Sequence, residues 1–234
     1  MPGRGFEKMT KSDRELNALN AYLSLLEKTG ATTADLAQYK SLAQHLVPLL
    51  KSDPATGDAY RERVEQALTS LDTAKWASFL AMSREYYHFW IDDIKTIAAM
   101  HASGGYKVGL PTVSVPEANL KMLWASLDGE KFSVSETWPL RSYVSALREG
   151  GAEKGVVDTR SKLVKLLLVH LRDAEMNDDG RHYRAIVDSM LPMFEKAETR
   201  GLFLTVAREF FNFWIGNPDA PEHIVLQVPD PEIA

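Results

Sequence analysis

A chain of 234 residues with 45% apolar and 25% charged side chains has the make-up of an ordinary globular protein, long enough for one large domain or two small ones. The lack of cysteine excludes a disulfide framework and thiolate metal sites. No stretch approaches the roughly 20 apolar residues of a membrane helix, the first residues lack a signal peptide's apolar core, and the net charge of −5 argues against a nucleic-acid footprint spread over the whole surface; a cytoplasmic protein is the expectation.

Residues 1–11 carry Arg4, Lys8 and Lys11 among Gly and Pro and read as a mobile tail. A first helix is expected from Ser12, whose hydroxyl can form a capping box with Glu15, with Leu16, Leu19, Leu23 and Leu26 as its apolar stripe and Gly30 as its stop. A second is expected from Thr32 or Thr33 to about Lys51, with Leu36, Leu42, Leu46, Leu49 and Leu50 inward, and with a kink or early end at Pro48. A third spans about Ala59 to Leu71, and a fourth about Thr73 to Met100. The Gly- and Pro-rich stretch His101 to Pro116 breaks the helical period, and alternation around Val113 and Val115 suggests a short extended piece. A brief helix at about Glu117 to Leu127 and the turn LDGEKF follow, and Ser133 to Thr137 offers caps for the next helix.

From that point the chain repeats itself. Setting Tyr22 on Tyr143 aligns LNAYLSLLEKTGA with LRSYVSALREGGA, places Gly30 on Gly151, and puts Leu42, Leu46 and Leu50 on Leu163, Leu167 and Leu171. With small length changes Tyr60-Arg61 meets Tyr183-Arg184, and FLAMSREYYHFWI (79–91) meets FLTVAREFFNFWI (203–215), identical at seven of thirteen positions. A period above 120 residues is too long for arrays built from single helical hairpins. The expected fold is all-α, an internal tandem duplication of two four-helix units, with at most a short extended ribbon from the Val-Pro segments. The expected boundaries are a tail over 1–11, unit 1 over 12–116, a connector over 117–136 and unit 2 over 137–234, the units related by a pseudo-twofold axis as in many homodimers.

At 100° per residue Phe79, Met82, Tyr86, Phe89 and Trp90 cluster on one face, and Leu80, Tyr87 and Ile91 widen it, so this helix should be the centre of its unit. A narrow polar stripe remains. It holds Arg84, Glu85 and His88 in the first copy and Arg208, Glu209 and Asn212 in the second, and these six are the candidate binding residues. Adjacent Arg and Glu do not face each other on a helix, so each charge needs its own partner: they either fix packing, within or between the copies, or line a cleft for an anionic or peptidic ligand. Glu85 and His88 have the Glu-x-x-His spacing of di-iron bundles, but Asn212 replaces His88 in the second copy and no further carboxylates are spaced to complete a metal site. His170, on an otherwise apolar helix, reads as a core or boundary histidine.

No Walker loop, Gly-x-Ser-x-Gly elbow or dinucleotide fingerprint is present, so no catalytic residue and no cofactor is assigned. Residues 138–172 hold a local excess of four positive charges, against one in the aligned stretch 17–51, and Arg141, Arg148, Arg160, Lys162 and Lys165 could form a nucleic-acid face. Three functions are therefore expected in order: a non-enzymatic interaction or scaffold protein that binds a partner protein, a nucleic-acid-binding regulator, and a small-molecule-binding or enzymatic bundle with a pocket at Arg84, Glu85 and His88.

Overall fold

The structure, a computed structural model, describes residues 11–51, 53–102, 120–172 and 180–226. Among them every regular element is helical. The chain divides into two compact units, Met1–Thr112 and Val113–Ala234. The expected tail over 1–10 and the extended piece at 113–115 lie outside the described residues.

In unit 1, α1 (Lys11–Lys28) begins before Ser12, and Glu15 does not cap it: the carboxylate is 1% exposed and turned onto Arg14, Oε1 to Nη2 3.1 Å. The chain leaves α1 through Gly30 at φ +101°, where the Ala31 N–H donates to the Leu26 carbonyl at 3.0 Å and closes the helix end. α2 (Thr33–Leu46) opens on a capping box between Thr32 and Asp35 and ends before Pro48, not at Lys51, because proline cannot supply the next backbone donor. α3 (Gly57–Leu68) is capped by Thr56.

The expected long fourth helix is two. After a short 3₁₀ turn at Thr73–Lys75, α4 (Trp76–Trp90) stops and α5 (Ile94–Ala102) starts afresh. Asp92 adopts φ +57° and the Asp93 N–H donates back to the His88 carbonyl at 2.9 Å. Asp93 then accepts from the Thr96 N–H at 3.2 Å and its hydroxyl at 2.6 Å, so a short acidic side chain captures the backbone that would have continued α4. α4 packs on α1, α2 and α3, and its Phe79, Met82, Tyr86 and Trp90 are buried with Tyr22, Leu26, Leu46 and Leu50.

Unit 2 contains α6 (Leu120–Leu127), α7 (Val134–Glu149), α8 (Lys154–Leu171), α9 (Arg181–Met190) and α10 (Ala197–Trp214). Ser133 and Glu136 form the capping box of α7. α10 is the central helix, packed on α7, α8 and α9. α6, expected within a connector, packs on α8 and buries Leu127, which joins it to the core of this unit. Each unit thus holds five helices rather than four among the described residues.

Candidate functional site

The Arg–Glu pairs on the two central helices are split by the helix itself. Successive side chains diverge by about 100°, so Arg84 and Arg208 reach the exposed surface while Glu85 turns partly inward and Glu209 is fully buried. Glu85 Oε2 accepts the Tyr22 hydroxyl at 2.7 Å across from α1. Glu209 Oε2 accepts the Tyr143 hydroxyl at 2.6 Å across from α7. The same bond, from the same aligned residues, ties the first helix of each aligned set to the central one.

Unit 2 adds a counter-ion. Arg160 on α8 is 2% exposed, as is Glu209, and its Nη1 donates to Oε1 and Oε2 at 3.0 and 2.9 Å. Arg160 Nη2 also donates to the Val225 carbonyl at 3.1 Å, and the Val225 N–H donates to Glu209 Oε1 at 2.8 Å, so the carboxylate–guanidinium pair clamps the segment after α10. Burial, and then the charge of Glu209, pushes the Tyr143 hydroxyl well above the ordinary phenol value, which keeps it a donor. The position aligned with Arg160 in unit 1 is Tyr39, packed edge-on against Tyr22 at 5.9 Å. Its hydroxyl is likewise pushed up by burial and by the Glu85 charge.

Around these bonds the aromatic rings form two matching sets. Tyr60 donates to the Ser83 carbonyl at 2.6 Å and meets Tyr87 and Trp90 at 4.9 and 5.2 Å. Tyr183 donates to the Ala207 carbonyl at 2.7 Å and meets Phe211 and Trp214 at 5.0 and 5.2 Å. The helix bearing each tyrosine can come this close because a glycine stands at its start: a Cβ on Gly57, the first residue of α3, would stand 3.3 Å from the Tyr87 hydroxyl, and one on Gly180, the N-cap of α9, would stand 3.0 Å from the Phe211 ring.

His88 does not join Glu85. Its Nδ1 lies 3.4 Å from Asp93 Oδ2, at the α4–α5 break, and Asn212 occupies the corresponding place with its Oδ1 accepting from Asn217 Nδ2 at 3.2 Å. Glu85 and His88 thus point to different partners, Tyr22 and Asp93. Among the described residues no group of three or more His, Asp and Glu is gathered closely enough to hold a metal ion, and no helix is long and apolar enough to cross a membrane.

The basic stretch also divides. Arg160 is internal and cannot meet a phosphate, and Arg172 is held by Glu136 at 2.9 Å and Glu130 at 2.8 Å. Arg141, Arg148 and Lys162 remain exposed and Lys165 half-buried. With the buried Arg160 and the ion-paired Arg172 set aside, the stretch keeps five cations against Glu149, Glu153 and Asp158.

Sequence reasoning missed the outer face of α7. Its inner side buries Pro139, Leu140, Tyr143, Ala146 and Leu147, and directly opposite stand Val134, 85% exposed, and Trp138, 63% exposed. The signal was present in the helical period: Trp138 falls on the side of the wheel away from Leu140, Tyr143 and Leu147. No protein-family model, curated protein or solved structure matches the chain.

Proposed function

We propose that the chain is a duplicated, non-enzymatic interaction protein that binds a partner protein on the outer face of α7. The duplication is supported by aligned residues making like contacts: tyrosine to glutamate at 2.7 and 2.6 Å, tyrosine to the central-helix carbonyl at 2.6 and 2.7 Å, and tyrosine to tryptophan at 5.2 Å in both units. The shared residues are then the framework of the unit, and function belongs to what differs between its copies. The observation that carries the binding reading is Trp138, a large ring left 63% exposed one turn from Val134 on the side of α7 opposite its core. The fold gains little from a ring left in water, and tryptophan is enriched among the anchors of protein interfaces.

A photo-crosslinking residue placed at position 138 of the full chain, with position 198 as the exposed control, tests this. A partner protein captured at 138 and not at 198 should, once purified, bind the unmodified chain, and Trp138→Ser should weaken that binding at least about tenfold while leaving thermal stability unchanged. Equal binding by the variant, or no adduct specific to 138, would remove the proposal.

A further inference from the structure

The stripe that holds Val134 and Trp138 continues along α7 through Arg141, Ser145 and Arg148, all five exposed. At 100° per residue they fall within an arc of roughly 80°, so they form one straight band, apolar in its first half and basic in its second. Arg141 and Arg148 have no carboxylate within ion-pair distance among the described residues, whereas Arg63, Arg160 and Arg172 each do. Glu149, the nearest acid in sequence to Arg148, accepts instead from the Ser145 hydroxyl at 2.9 Å. The band is not demanded by the fold. Aligned positions in unit 1 are Asp13, Asn17, Asn20, Ser24 and Glu27, which carry no large apolar side chain and no cation.

On this basis, and resting on the reading of α7 as a partner-binding face, we infer that the partner's docking segment is acidic: one large apolar side chain packs on Val134 and Trp138, and carboxylates pair with Arg141 and Arg148. Guanidinium groups match carboxylates through paired N–H donors, and a band ordered apolar-then-basic fixes the direction in which the segment lies. Trp138 and Arg148 are separated by about 15 Å along the axis at 1.5 Å per residue, so the acidic groups extend from beside the anchor to some ten helical or five extended residues away. Nucleic acid fits the band less well, because half of it is apolar and only two cations lie on it, fewer than a phosphate tract needs.

Selection of a random 16-residue peptide library on the full-length chain, with the Trp138→Ser variant as the counter-target, tests the inference. Enrichment of peptides carrying several Asp or Glu and one large apolar residue is expected. A chosen peptide should lose about tenfold or more in affinity both with Trp138→Ser and with the Arg141→Glu/Arg148→Glu pair, and should weaken as salt rises. Peptides that need Trp138 but are neutral or basic would overturn the acidic assignment and leave the partner-binding reading standing. No Trp138-dependent enrichment would overturn both. Displacement of the peptide by a 20-mer oligonucleotide that itself depends on Arg141 and Arg148 would reassign the face to nucleic acid.

Discussion

Replacing Arg160 by methionine tests the reasoning about the buried pair most directly. The side chain is 2% exposed and makes two bonds to Glu209 and one to the Val225 carbonyl, at 2.9 to 3.1 Å. Methionine fills most of the volume but leaves Glu209 as a buried charge supported by the Tyr143 hydroxyl and the Val225 N–H. Removing one member of such a pair costs about 3–5 kcal/mol, a large part of the ~5–15 kcal/mol that holds a domain together. With a urea slope of about 2 kcal/mol/M, the unfolding midpoint should fall by about 2 M, followed through the ¹⁹F resonance of fluorinated Trp214. Removing both charges, as Arg160→Met with Glu209→Leu, should restore more than half of the loss, since no buried charge is then left unpaired. A single variant within about 0.3 M of the parent, or a double variant as weak as the two singles summed, would refute the argument.

Other expectations concern the backbone and pH. Asp92 sits at φ +57° where the aligned position is Gly216 at +73°, so Asp92→Gly should raise stability by about 0.5–1 kcal/mol in a urea titration. Gly180→Ala should lower it by about 1–3 kcal/mol, because a Cβ there meets the Phe211 ring at 3.0 Å and the residue is held at φ +61°. Burial holds the His170 imidazole below its ordinary value of 6.5, so below about that pH the unfolded chain binds a proton that the folded chain resists, and stability falls as pH drops. His170→Gln should flatten the stability profile between about pH 7 and 5, and an unchanged slope would show that another group sets it. At lower pH, protonating Asp53, held down by its hydrogen bonds from Arg63, and Asp93, held down by Thr96, should weaken the turns they anchor.

The all-α class was legible because burial imposes a period of 3.6 on the apolar residues, and the stripes of Leu19 and Leu26 or of Phe79, Met82 and Tyr86 repeat it plainly. Caps at Thr32 and Ser133 and the stop at Gly30 were legible for a similar reason, since each is a local bond between residues three to five apart. The break at Asp92 was not, although Asp93 and Thr96 were in view, because capping competes with helix continuation and packing decides between them.

The sequence by itself determined which residues recur, the Arg–Glu pair and the tyrosines at fixed distances from it, because recurrence is a property of the string. Only the tertiary structure decided what they do. Tyr22 and Glu85 lie 63 residues apart, Tyr143 and Glu209 66, and Arg160 and Glu209 49, and nothing in a one-dimensional period encodes which helices are brought face to face. Arg160, counted with the basic surface from its charge, proved internal because a carboxylate from another helix was waiting there. Trp138, which could have completed a core, proved external because Leu140, Tyr143 and Leu147 had already turned the opposite side of α7 inward.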